Sequence, residues 1–245
     1  MRLIQLSDCH LYADPMARSR RGLPARQLEA VIAAVDLDRP DLVMVTGDIA
    51  QDESEGAYRL ATERLAALDC PWFWLPGNHD DLALMSAERE VLAEVDAGAW
   101  RVLKLNTQIP GEASGRVGED ALAALDQRLG QELRPTVIVM HHPPMVVGSA
   151  WIDALGLEDA DDFWDVVGRY PQVKMVLCGH VHQAFHGTRA LPDGQVEVYA
   201  CPATSDQFLP GSDEFAVDEA SRPGYRVVDL KRGGEWLTWV ERVEL

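Results

Sequence analysis

WFWLPGNHDD, residues 72–81, changes character at its midpoint. Trp72, Phe73, Trp74 and Leu75 are apolar, the composition of a buried strand. Pro76 and Gly77 then punctuate the chain, and Asn78, His79, Asp80 and Asp81 follow at once. An amide, an imidazole and two carboxylates therefore leave the core together. A strand that ends on such groups sets them at a sheet edge, where open α/β sheets carry their sites.

The flanking chain alternates in a related way. Strand signals at 2–7 and 41–48 alternate with helical spacing at 26–37 and 55–68. Downstream, 81–95 reads as a helix, 100–106 as a strand, 119–129 as a helix, 136–142 as a strand, 158–169 as an acidic helix and 173–180 as a strand. The helical pattern then fades. Segments 195–202, 225–230 and 235–245 read as strands parted by turns such as Pro192-Asp193-Gly194 and Gly233-Gly234. This alternation implies an α/β fold with helices packed on a parallel sheet. Stretches 143–160 and 203–223 lack periodicity and have the length of functional loops.

The 245 residues are 47% hydrophobic, enough for a sizeable core. Forty acidic against 22 basic residues give a net charge of -18, which argues against nucleic acid or an anionic membrane as partner. A small anionic substrate stays open, because bound cations reverse the field inside one cleft. Cys9, Cys70, Cys178 and Cys201 form no CxxC pair, so neither a disulfide framework nor a thiolate zinc site is expected. No signal peptide or membrane span is apparent, and a cytoplasmic protein is expected.

Five strand ends carry possible metal ligands or their turns: Asp8-Cys9-His10, Gly47-Asp48, Gly77-Asn78-His79-Asp80, His141-His142-Pro143-Pro144 and Gly179-His180-Val181-His182. Six of the seven histidines lie in these motifs, and His186 follows the last. Imidazole and carboxylate without thiolate suit Fe, Mn, Zn, Co or Ni more than Ca. Two aspartates and several histidines exceed the needs of one metal, whereas two metals about 3.5–4 Å apart and sharing a carboxylate would use them. There is no G-x-S-x-G elbow, no Walker A loop and no G-x-G-x-x-G.

Together these residues resemble the calcineurin-like metallophosphoesterases, whose pattern is D-x-H, G-D, G-N-H-[DE], H-x-P-P and G-H-x-H. It stands complete and in order as DCH at 8–10, GD at 47–48, GNHD at 77–80, HHPP at 141–144 and GHVH at 179–182. The likeness is nearest to bacterial class III cyclic-nucleotide phosphodiesterases, the cyclic-AMP-hydrolysing kind. It extends through 46–58, 74–80, 170–183 and 201–230, nearly the whole chain.

The resemblance implies a single domain, 1–245, folded as an αββα sandwich of two mixed β-sheets flanked by helices, with a dinuclear metal site at the strand C-terminal edge. It implies Asp8, His10 and His182 on one metal, Asn78, His141 and His180 on the other, and Asp48 bridging, with Fe or Mn favoured over Zn, Co or Ni. His79 would be the catalytic residue, with Asn78, His79 and His182 set against the substrate. His142, as the variable position of H-x-P-P, is expected to pack rather than ligate, Cys9 to be buried, and His186 to lie outside the site. Asn106-Thr107, where relatives often carry Asp-Ser, is expected to touch none of the motifs.

Phosphodiesters are anionic and repel hydroxide. Two cations answer both difficulties, and the expected reaction is in-line attack of a metal-bridging hydroxide on 3′,5′-cyclic AMP to give 5′-AMP. His79 would donate the leaving group's proton or hold the developing charge. Asp80 would orient His79 or a ligand, or else cap the helix at 81–95. Loops 11–25, 143–160 and 203–223 are expected to shape the nucleoside pocket, with Phe208 and Trp151 as stacking candidates. Arg18, Arg20 and Arg21 are expected to solvate their loop rather than steer phosphate. Alternatives are broader phosphodiesterase or phosphomonoesterase activity, and a non-catalytic scaffold of the same fold.

Overall fold

The computed structural model describes residues 1–192 and 194–245; the expected turn at 192–194 includes Asp193, which lies outside the described residues. Two sheets face each other. The first is built on β1 (Arg2–Leu6), β2 (Leu42–Thr46) and β3 (Trp72–Leu75), which run parallel. Antiparallel β10 (Gly224–Leu230) and β11 (Trp236–Arg242) extend it, giving the order β11-β10-β1-β2-β3. The second has the order β4-β5-β6-β7-β9-β8. Its β5 (Trp100–Lys104), β6 (Thr136–Val139), β7 (Val173–Cys178) and β9 (Gly194–Ala200) are parallel, with β4 (Glu94–Ala97) and β8 (Phe185–Leu191) as antiparallel edges.

Side-chain alternation along the strands makes the layers. In β3, Trp72 and Trp74 face the helices α1 (Pro24–Leu37), α2 (Glu55–Leu65) and α3 (Leu82–Glu88), while Phe73 and Leu75 face the other sheet. In β2, Val43 and Val45 take the helix side, and Leu42 and Met44 the inter-sheet side. Val102, Val137, Val139, Met175 and Leu177 meet them from the second sheet, whose outer face is covered by α4 (Glu119–Gln131) and α6 (Ala160–Val167). The short α5 (Ala150–Asp153) lies between β6 and α6. The architecture is the expected αββα sandwich of two mixed sheets.

The helix expected over 81–95 is corrected. It stops at Glu88, Arg89 is extended, and 94–97 forms the edge strand β4. Ala, Leu and Glu in this stretch favour helix locally. Val95 and Ala97 alternate with Asp96, so pairing with β5 buries both apolar side chains and overrides that preference. Strand β8 carries no apolar alternation and was not expected; full antiparallel pairing to β9 forms it.

Parallel strands bring their carboxyl ends to one edge. β1 delivers Asp8 and His10, β2 Asp48, β3 Asn78 and His79, β6 His141, and β7 His180 and His182.

Candidate active site

The strand-end residues are held in costly backbone conformations. Asp8, His10, Asp48, His180 and His182 all have positive φ, between 48° and 70°. Non-glycine residues rarely adopt this region, and such outliers concentrate at functional sites. Close approach adds a second constraint. A Cβ on Gly77 would collide with the Asp48 carboxylate, and one on Gly47 with the His141 ring. Glycine at both positions lets loops from β2, β3 and β6 close on one point.

Hydrogen bonds set the imidazole tautomers. His141 Nδ1–H donates to the Thr46 carbonyl at 2.8 Å, leaving the Nε2 lone pair 3.1 Å from Asn78 Oδ1 and 3.4 Å from Asp48 Oδ2. His180 Nδ1 lies 3.0 Å from the same Asn78 oxygen. His182 Nδ1–H donates to the Asp206 carbonyl at 2.7 Å, so its Nε2 lone pair points at His10 Nε2 (3.1 Å) and Asp8 Oδ1 (3.4 Å). His10 Nε2 is 3.6 Å from Asp48 Oδ2. Asp48 therefore stands between an Asp8–His10–His182 group and an Asn78–His141–His180 group.

These groups direct acceptors at acceptors. Carboxylate oxygens, an amide oxygen and imidazole nitrogens converge in a largely buried space, a donor set that suits a cation. The groups strongly perturb one another. Burial, reinforced by the Asp48 charge, pushes Asp8 up to about 7. Burial lowers His10 to about 4 and holds His180 and His182 well below the usual imidazole range. Burial also opposes ionisation of His141, but Asp48 outweighs it and raises His141 to about 9. For Asp48 the His141, His10 and His79 imidazoles overcome burial and keep the carboxylate well below its ordinary value. The donor set fits two divalent cations.

His142 belongs to the same cluster by distance, within 4.8 Å of His141 and His180. Both its ring nitrogens are nevertheless engaged. Nε2–H donates to the Ala113 carbonyl at 3.3 Å, and Nδ1 accepts the Thr107 hydroxyl at 2.8 Å. No lone pair is left for a metal, and the ring packs as expected. Thr107 thus does touch a metal motif, contrary to expectation. His186 lies apart on β8, bonded to Glu197 at 2.6 Å and stacked on Tyr199. Cys9 is buried, and burial pushes its thiol up to about 12.

Asp80 caps no helix; Asp81 does, accepting from Ala83 and Leu84. The Asp80 carboxylate instead accepts the backbone N–H groups of Ile49, Ala50 and Gly77 at 2.8 to 3.1 Å, clamping the β2 and β3 loops together. The His79 backbone N–H donates to Asp48 Oδ1 at 2.9 Å, and its ring Nδ1 lies 3.3 Å from the Gln51 side-chain nitrogen.

Beside the His and Asp cluster opens a cleft of about 580 Å³, lined by His10, His79, His182, Gln51, Tyr12 and Phe208 among others. Loops 11–25 and 203–223 contribute to its wall, but no lining residue comes from 143–160. Trp151 packs edge-on to Phe208 and Phe215, behind the cleft, and is not a stacking surface. Phe208 lies flat on His182 at 3.9 Å. Arg18 and Arg20 line the cleft, which the expectation of a merely solvated loop did not foresee. Gln51 and Asp206 also escaped the sequence reading. Gln51 sits three residues after Asp48, a spacing that could have marked it; Asp206 lies in an aperiodic loop without such a signal.

Residues 1–184 match the calcineurin-like phosphoesterase family. The chain belongs to that family. Among the phosphoesterases to which it is similar is the "3′,5′-cyclic adenosine monophosphate phosphodiesterase CpdA" of Vibrio vulnificus, 36% identical over 99% of this chain and 90% of that protein. The protein of the same name from Pseudomonas aeruginosa is 37% identical over the same shares. A dimetal phosphatase from Danio rerio has the same fold, with a TM-score of 0.71, 14% identity and 99% coverage of both chains. Among the described residues no helix of this phosphoesterase is long and apolar enough to cross a membrane.

Proposed function

We propose that this phosphoesterase hydrolyses 3′,5′-cyclic AMP to 5′-AMP with two metal ions. The observation that carries the reading is the convergence of Asp8, His10, Asp48, Asn78, His141, His180 and His182 beside one cleft. Asp8, His10 and His182 would hold one ion, Asn78, His141 and His180 the other, and Asp48 both. Iron or manganese suits this oxygen- and imidazole-rich set, with zinc, cobalt and nickel as further candidates. When bound, the two ions supply positive charge for the phosphoryl oxygens and acidify water.

The chain's own groups do the rest. Asn78 contributes a neutral oxygen, so it binds without cancelling positive charge. Asp48 receives the His79 backbone N–H, which ties the position of His79 to the centre of the site. The Gln51 amide faces His79 Nδ1 at 3.3 Å and leaves Nε2 turned to the cleft. As water oxygen adds to phosphorus and the P–O3′ bond breaks, His79 Nε2–H can donate to O3′ or stabilise its charge. Asn78, His79 and His182 border the substrate phosphate in this scheme.

The deciding experiment loads the apoprotein with Mn or Fe. It compares kcat/KM for 3′,5′-cyclic AMP, 2′,3′-cyclic AMP, a glycerophosphodiester and a phosphomonoester, and identifies the products. Highest turnover on 3′,5′-cyclic AMP with 5′-AMP as product is expected. Cleavage of another diester with none of 3′,5′-cyclic AMP overturns the substrate assignment.

A further inference from the structure

In a chain of net charge -18, two arginines face the active-site cleft without an acidic partner. Arg18 and Arg20 both line it, and among the described residues neither guanidinium has a carboxylate oxygen within 4.0 Å. Arg21 is differently employed: it donates to the Glu219 carbonyl at 3.0 Å and pairs with the Glu219 carboxylate at 3.7 Å.

The loop bearing them is fastened at one residue. The Asp206 carboxylate accepts Ser19 Oγ–H at 2.8 Å, the Arg20 N–H at 3.0 Å and the Arg21 N–H at 3.1 Å. The carbonyl of the same residue accepts His182 Nδ1–H at 2.7 Å. One residue thus fixes the arginine loop and a site imidazole in a common frame. The Arg20 guanidinium lies 5.0 Å from the Phe215 ring centroid, so an aromatic wall supports it at the cleft.

The geometry points to Arg18 and Arg20 as an anion-recognition subsite for the phosphodiester substrate, with Asp206 as the positioning residue that holds their loop. This deepens the phosphodiesterase reading and rests on it. Guanidinium groups are well suited to phosphoryl oxygens. In an acidic protein a local positive mouth also offsets the repulsion that an anionic substrate meets on approach.

The test compares wild type, Arg18→Ala/Arg20→Ala, Asp206→Ala and the triple variant, as metal-loaded enzymes. The double variant should raise KM for 3′,5′-cyclic AMP about tenfold, the scale of a lost charged contact, with kcat held within about threefold. It should also flatten the fall of kcat/KM with ionic strength. Asp206→Ala should reproduce the KM effect, and adding it to the arginine pair should change little further, with two metals per chain retained throughout. Additive effects, or a kcat loss with loss of metal in Asp206→Ala, overturn the positioning role, because the carbonyl that holds His182 survives the substitution and the side chain would then act apart from the arginines. The arginines are exposed, so their variant reports even where Asp206→Ala fails to fold, and an unchanged KM in it overturns the subsite. Each variant is also read on bis(p-nitrophenyl) phosphate. A wild type inactive on cyclic AMP therefore rejects the substrate assignment while the arginines are still tested.

Discussion

The Asp80 carboxylate binds the backbone of Gly77 at 2.8 Å and, from the neighbouring strand end, that of Ile49 at 3.0 Å. One side chain thus spans the loops that carry Asn78 and Asp48. An ionised carboxylate accepts all its N–H donors at once; an amide turns a donor toward them. Asp80→Asn should therefore weaken metal binding about 10–100-fold, as loss of a group supporting metal ligands typically does. Its unfolding free energy should fall by about 1–3 kcal/mol through orphaned N–H groups. Metal titration and denaturant melts of the variant check both, and wild-type affinity would assign the clamp to stability alone.

Asp48 lies between the two ligand groups, with Oδ2 3.4 Å from His141 and 3.6 Å from His10. Asp48→Ala should leave fewer than two metals per chain, measured by elemental analysis after dialysis. Two full equivalents retained would show that each group holds its ion without a shared carboxylate.

His79 lines the cleft, and its ring packs edge-on to His10 at 5.0 Å while its hydrogen-bond contact is with Gln51. His79→Ala should keep two metals and the wild-type melting curve while kcat falls about 10²–10⁴-fold, the range for a lost general acid or charge stabiliser. Near-normal kcat removes His79 from the reaction.

Thr107 donates its hydroxyl to His142 at 2.8 Å in a fully buried setting. Thr107→Val removes the donor and leaves Nδ1 unsatisfied, a cost of about 1–3 kcal/mol. Thr107→Ser should recover most of it. Metal stoichiometry should be unchanged in both variants, since His142 has no nitrogen to spare; loss of one metal in Thr107→Val would make His142 a ligand after all.

The residues that converge at the sheet edge were legible because parallel strands end there and each end carries a short motif. Trp72 through Leu75 announce a strand, and the turn at Gly77 follows from composition. Ligand partners are a different matter. Whether Asp80 caps a helix or clamps two loops depends on Ile49, thirty-one positions earlier, arriving beside it. Thr107 meeting His142, and Asp206 meeting both Ser19 and His182, are likewise products of tertiary approach. β4 was misread because residues 89–95 prefer helix when isolated, and only the waiting edge of β5 decides otherwise. The same limit hid the cleft position of Arg18 and Arg20: charge is visible in a sequence, whereas the surface it faces is not.

Lys104 offers a pH test of the sandwich itself. Its ammonium is buried and donates to the Trp74 carbonyl at 2.8 Å, and burial lowers its pKa from 10.5 to about 8. The unfolded chain therefore holds this proton more tightly than the folded one. Between about pH 8 and 10.5 the unfolded state binds more protons, so stability rises with pH through that window. Below it the folded state carries the full cost of the buried charge. Lys104→Met cannot titrate, and the orphaned Trp74 carbonyl costs it the same at every pH. Wild type should therefore gain on Lys104→Met by on the order of 3 kcal/mol as pH rises across the window. Denaturant melts of the two proteins at matched pH values measure the difference. Parallel stability profiles would mean that the ammonium is hydrated in the fold rather than desolvated between its sheets.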